Sequence, residues 1–224
     1  MEYFHLHPWN VAISEARAIQ HHLRGRLTKV KPLALSKIKK IAAADLAFSG
    51  DNICAVVAVF SFPDLKLLEV QRAKAKMTFP YIPGLLTFRE GPALLKCFKK
   101  LKTDPDVIIF DGQGEAHPER MGIATHMGIL LDKPTIGCAK SRLIGIYKEP
   151  RNEGGAYTLL FYEEGVVGAV LRTKRDVKPL FISTGVKIDL KSSIDIILAC
   201  GRGYRNPEPI RYVDLESKKM ARGE

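Results

Sequence analysis

The sequence predicts an α/β protein with one mixed central sheet, an antiparallel meander continued by parallel strands and flanked by helices. Two patterns carry this expectation. Three strand-like runs, IAAADLAF (41–48), NICAVVAVFSF (52–62) and LLEVQRAKAKM (67–77), are separated only by the turn formers SGD and PDL, as in a meander. Further on, the short apolar runs VIIF (107–110) and PTIGCA (134–139) alternate with helical patterns, as buried parallel strands and their crossover helices do.

The remaining elements follow in order. Asn10 is placed to cap a helix over VAISEARAIQHHLRGRL (11–27), with Ala12, Ala16, Ile19 and Leu23 on one face. Pro80, Pro83 and Gly84 break the chain, and Pro92 suits the first turn of an amphipathic helix through ALLKCFKKLK (93–102). PERMGIATHMGILL (118–131) reads as the helix between the two buried strands. AYTLLFYEEGVVGAVLRT (156–173) reads as a hairpin turning near Glu164-Gly165, and KSSIDIILACG (191–201) as a helix stopped by Gly201. From Ser217 the chain is short, charged and expected to fray.

Composition narrows the class. With 224 residues, 46% hydrophobic and 26% charged, the chain suits one well-buried domain and excludes a collagen-like, coiled-coil or disordered acidic protein. Lys plus Arg number 35 against 24 Asp plus Glu, a net charge of +11 that attracts a polyanion, nucleic acid first. Cys54, Cys97, Cys138 and Cys200 form no CxxC pair, so neither a zinc site nor a disulfide framework is indicated, and a reducing, cytoplasmic location is expected. No signal peptide or membrane span is legible.

Chemistry concentrates at strand ends. Asp45 interrupts an apolar strand and Asp111 ends another; each alone also fits a residue capping a loop. If the two strands are neighbours, the carboxylates face each other, and a divalent cation, Mg²⁺ by donor chemistry, relieves their repulsion. Between them Pro80 and Pro83 bracket Tyr81 and Ile82, a stiff apolar tip suited to wedging into a base stack. Glu90 precedes the predicted helix and can turn toward the aspartates. Gly112 and Gly114 permit close backbone approach to a ligand, while His117 suits phosphate contact or proton relay; His126 reads as structural. Lys140, directly after PTIGCA, lies at the same sheet edge as Asp111, where its ammonium can meet a phosphate.

These segments together resemble endonuclease V, the deoxyinosine-directed repair nuclease family. The resemblance rests on DLAF, FPYIPGLLTFREGPALL, DGQGEAHPERMGIATHMG, GCAKSRL, KPLFISTG (178–185) and PEPIRYVD (207–214), and it extends to Trp9, Ala16 and Gln20. It implies an RNase H-like fold and Mg²⁺-dependent cleavage, with Mn²⁺ as a substitute, at the second phosphodiester bond 3′ to a deaminated purine. In that family the matches of Asp45 and Asp111 bind metal and that of Glu90 completes the acidic site. Tyr81 matches the strand-separating wedge, with Ile82 and Pro83 beside it, and Lys140 sits near the cleaved backbone. The backbone of Gly84, Leu86, Gly112 and Ile123 would take the flipped hypoxanthine. Asp214, a histidine in some bacterial members, would add a fourth carboxylate. Gln113 and Val186 stand where many members have histidine, which bears on substrate preference.

The expected partner is deoxyinosine-containing DNA, with no membrane, and the protein is expected to act as a monomer. Two alternatives stay open: an endoribonuclease acting on inosine in single-stranded RNA, and a nucleic-acid-binding module without catalysis.

Overall fold

The computed structural model describes residues 1–26 and 30–224. Among these residues eight strands form one sheet: β1 (Lys40–Ser49), β2 (Asn52–Ser61), β3 (Leu67–Lys76), β4 (Val107–Phe110), β5 (Thr135–Ala139), β6 (Tyr157–Tyr162), β7 (Gly165–Leu171) and β8 (Leu180–Thr184). Their order is β3-β2-β1-β4-β5-β8-β7-β6. The meander β1-β2-β3 is antiparallel, β1-β4-β5 are parallel, and β8, β7 and β6 return antiparallel. The expected mixed sheet is present, with β8 as a further strand between β5 and β7.

Strand alternation sorts side chains onto two cores. Ile41 and Ala43 of β1 and Val107 and Ile109 of β4 face one cluster, which α4 (Leu190–Ala199) and α5 (Glu208–Arg222) cover. Ala42 and Ala44 of β1 and Ile108 and Phe110 of β4 face the other, covered by α2 (Leu86–Lys100) and α3 (Ile123–Leu131). Phe88, Phe98 and Phe110 are fully buried, each contributing about 2–3 kcal/mol of apolar transfer energy. The first helix, α1 (Ile13–Arg24), packs near α3.

Several boundaries differ from expectation, each for a local reason. Helix α1 starts at Ile13 after Ala12, without a side-chain cap, so Asn10 does not cap it. Its buried face is Ala16, Gln20 and Leu23, with Ala12 exposed; the predicted end at Leu27 lies outside the described residues. Helix α2 starts at Leu86, not at Pro92, which sits inside it and supplies no backbone N–H there; Glu90 is therefore within the helix, not ahead of it. Helix α3 starts at Ile123 because Arg120 takes a left-handed φ of 56°, which ends any helical run from Pro118. Helix α4 begins one residue earlier than predicted, where the Asp189 carboxylate accepts from Ser192 N–H at 2.7 Å.

The largest correction is at the C-terminus. Ser217 is not in a frayed tail but in the middle of α5, fully buried, because Ile210, Val213 and Ser217 form an inward face against β1 and β2. All four cysteines are buried and unpaired. Among the described residues no helix is long and apolar enough to cross a membrane.

The turn after Asp111 is laced to β8. Gly114 N–H donates to Ser183 Oγ at 2.8 Å, Glu115 N–H donates to Thr184 O at 2.7 Å, and a Cβ on Gly114 would lie 2.1 Å from Thr184 O. Gly114→Ala is therefore expected to cost about 3 kcal/mol in denaturant unfolding, whereas Gly154→Ala, whose Cβ meets only ordinary contacts, changes stability by less than about 1 kcal/mol.

Candidate active site

Strand parity and register place two carboxylates side by side. Ala44 of β1 pairs with Phe110 of β4, and Asp111 N–H donates to Ala44 O at 3.1 Å, so Asp45 and Asp111 are the next residues on each strand. Both continue the Ile41/Ala43 and Val107/Ile109 alternation and point toward α5. Helix α5 supplies Asp214, and one oxygen from each of the three aspartates lies within 4.8 Å of the others. Ser217, one turn on, has its hydroxyl within reach of the Asp214 carbonyl at 3.1 Å and of Asp45 Oδ2 at 3.4 Å. Lys140, just beyond β5, bridges Asp111 Oδ2 at 2.5 Å and Asp214 Oδ1 at 2.7 Å, and Lys218 reaches Asp214 Oδ2 at 2.6 Å. Glu90 arrives from α2 and is almost fully buried.

This crowding shows in the acidities. Burial, then the charge of Asp111, pushes Asp45 up to about 7. Burial, then Asp45, pushes Glu90 up to about 8, although Arg89 opposes it. Burial also raises Asp111, against the pull of the Lys140 ammonium. Asp214 is less buried: desolvation lifts it, but Lys140 and Lys218 outweigh that and hold it below the usual carboxylate range. Burial disfavours the Lys140 ammonium, yet Asp111 and Asp214 together raise its pKa. Such a cluster of hard oxygen donors fits a divalent cation of the Mg²⁺ or Ca²⁺ type.

A pocket of about 390 Å³ opens beside the cluster and shares Asp111 and Lys140 with it. Its wall includes Tyr81, Ile82, Pro83, Gly84, Leu86, Gly112 and Ile123, so the structure brings all seven residues expected at a substrate site into one cavity. Two close approaches shape it. Gly84 adopts a left-handed φ of 83°, and the buried Gln20 amide of α1 holds the Gly84 carbonyl at 2.8 Å. A Cβ on Gly112 would lie 2.7 Å from Ile123 Cγ2. His117 also lines the pocket; its Nδ1 accepts from Glu119 N–H at 3.1 Å, which leaves Nε2 to carry the N–H, and burial lowers its pKa although the Gly84 backbone and the Glu119 charge oppose this. His126 is fully buried against His7, as a structural histidine.

The family model for endonuclease V matches residues 21–215. The chain belongs to the endonuclease V family. It is 47% identical over 222 residues to the endonuclease V of Methanothrix thermoacetophila, covering 99% of this chain and 98% of that protein. The endonuclease V structure from Bacillus subtilis superposes with a TM-score of 0.95 at 34% identity, covering 100% of this chain and 98% of that one. The Ciona intestinalis endonuclease V, solved with a 23mer DNA containing an inosine followed by a ribo-adenosine, has a TM-score of 0.82 at 28% identity and covers 94% of this chain and 97% of that one. The fold is thus RNase H-like, and membership makes this protein an endonuclease, a hydrolase, which sets aside a binding module without catalysis.

Some residues that shape this endonuclease V site carry no local signal in the sequence. Arg205 donates to the carbonyls of Lys140 at 2.7 Å, Lys178 at 2.8 Å and Pro179 at 2.9 Å, fixing the turn that carries Lys140. Gln113 donates to Ser141 O at 2.9 Å and ties the Asp111 loop to the same turn. Both are long-range contacts between loops. Ser217 did leave a signal, the Ile210, Val213, Ser217 spacing of a helix face.

Glu90 provides a test of the electrostatics. Its pKa rises from 4.5 to about 8 on folding, so the folded protein holds a proton the unfolded chain releases, and this contribution is lost as pH climbs from about 4.5 to about 8. Glu90→Gln is expected to melt at a higher temperature than wild type at pH 8.5 and at the same temperature at pH 4, by scanning calorimetry without added metal.

Proposed function

We propose that the protein is a Mg²⁺-dependent DNA repair endonuclease that cleaves the second phosphodiester bond 3′ to deoxyinosine, leaving 3′-hydroxyl and 5′-phosphate ends. The observation that carries this reading is the shared wall: Asp111 and Lys140 belong both to the acidic cluster and to the pocket beside it. A relative solved with inosine-containing DNA supports the choice of lesion.

In this reading Asp45, Asp111 and Asp214 hold the cation, and Glu90 completes the acidic site. When bound, that cation supplies Lewis-acid stabilisation of phosphate charge and makes water more acidic. The chain's own groups do the rest. Lys140, fixed by two carboxylates and by the Arg205 grip on its backbone, stands beside the cleaved phosphate and offsets charge developing there. The backbone around Gly84, Leu86, Gly112 and Ile123 receives the everted base, with the His117 imidazole at the pocket wall. Tyr81, 66% exposed beside Pro80 and Pro83, separates the stack as the base leaves, a step costing about a few kcal/mol and least for a weakly paired inosine. The net charge of +11 supplies a salt-sensitive grip independent of sequence.

End-labelled strands with deoxyinosine, undamaged strands and matched inosine RNA, incubated with Mg²⁺ or EDTA, test the assignment. Cleavage of the deoxyinosine strand with Mg²⁺ alone is expected; preferred cleavage of the RNA would transfer the activity to ribonucleic acid. Asp45→Ala and Asp111→Ala are each expected to lower the rate about 10³-fold or more, about 4 kcal/mol of barrier, while inosine-strand binding persists. Full activity in either variant contradicts the cation site. Tyr81→Ala is expected to reduce the preference for lesion-bearing over plain strands more than the cleavage rate at saturating substrate, and equal loss on both strands removes the wedge from the account.

A further inference from the structure

Beside the acidic cluster lies a cation that the motifs do not explain. The Arg89 guanidinium lies over the ring of Phe48, 4.9 Å from its centroid, and over that of Tyr81, 5.9 Å away. Phe48, near the end of β1 and three residues beyond Asp45, is 45% exposed. The guanidinium itself has few partners. Among the described residues its one hydrogen bond runs from Nη2 to Met77 Sδ at 2.9 Å, Nε is buried with no acceptor, and no carboxylate pairs with it. Arg205, by contrast, donates to three carbonyl oxygens, and Arg211, which also lies over an aromatic ring, that of Tyr204, donates to both carboxylate oxygens of Glu208.

Aromatic rings stabilise a guanidinium through their faces but supply no lone pair in its plane. Arg89 is thus a partly desolvated cation that is held in place and still lacks an oxygen acceptor. Planar N–H groups of this kind suit a phosphate oxygen. The location selects which phosphate: Tyr81 lines the pocket, Arg89 precedes Glu90 on α2, and Phe48 lies three residues past Asp45 on the face of β1 that α2 covers.

We propose that Phe48, Arg89 and Tyr81 form a phosphate clamp that grips the backbone of the substrate strand between the apolar tip and the acidic cluster. The inference rests on the nuclease reading above and adds one binding residue and one positioning residue to it. Arg89 contacts the phosphate, and Phe48 is a positioning residue that holds the guanidinium.

Salt dependence distinguishes a phosphate contact from a merely structural role. Binding of a fluorescent single-stranded deoxyinosine oligonucleotide, in EDTA, is followed by anisotropy from about 50 to about 400 mM KCl. Arg89→Gln is expected to flatten the slope of log K against log salt by about 0.7, the value for one phosphate contact on a single strand. Arg89→Lys keeps the slope but binds more weakly. Phe48→Ala lowers affinity about 2- to 5-fold, and Phe48→Tyr restores it. An unchanged slope in a folded Arg89→Gln variant overturns the clamp, as does a change seen only with duplex, which would put the contact on the other strand. Should Arg89→Gln fail to fold, unchanged affinity in Phe48→Ala overturns it instead. Failure of the wild type to prefer inosine over plain strands contradicts the substrate reading alone, since the slopes are measured on either strand.

Discussion

The site depends on an electrostatic conflict built into the centre of the sheet. β1 and β4 run parallel in a register that carries Asp45 and Asp111 to the same level and the same face, and α5 closes over them with Asp214. Three carboxylates within 4.8 Å are unfavourable in a partly buried place unless cations offset them. Lys140 and Lys218 do so in part, but burial first and the neighbouring carboxylates second keep the pKa values of Asp45 and Glu90 raised to about 7 and about 8. Burial and repulsion together make these charges costly to the fold on their own and favour whatever positive charge enters.

Close backbone packing turns that charge cluster into a recognition site. Gly112 and Gly114 let the Asp111 turn lie against Ile123 and Thr184, distances that any Cβ would violate. Gln20 holds Gly84 from below, while Gln113 and Arg205 hold the Lys140 turn from the side. The pocket and the acidic cluster are therefore positioned by the same few loops, so binding a base in one fixes the strand relative to the other. Rigid strands carry the charges, and the loops at their ends shape the opening.

Much of this arrangement is legible in the sequence because its signals are local. An aspartate that ends an otherwise apolar strand, as Asp111 does after VIIF, is conspicuous before any contact is known. The meander, the parallel strands and the pocket tip around Tyr81 announce themselves in the same way. Asp214 does not: it sits on a helix face among charged residues and entered through family resemblance. The same charged run made Ser217 look like a tail residue, although alternating burial along α5 seats it under Asp45. Pro92 misplaced the start of α2 because a proline inside a helix and one at its first turn read alike when the packing of Thr87, Phe88 and Glu90 is unseen. Gln20 and Arg205 act across the fold, and no periodicity encodes a partner so far along the chain.

The central claim is that the three aspartates form one divalent-cation site. Anomalous scattering from crystals grown with Mn²⁺ tests it most directly. A peak about 2–2.5 Å from carboxylate oxygens of Asp45, Asp111 and Asp214 is the expected result. Fully occupied Mn²⁺ elsewhere on the protein, with no peak among these three side chains, would contradict it.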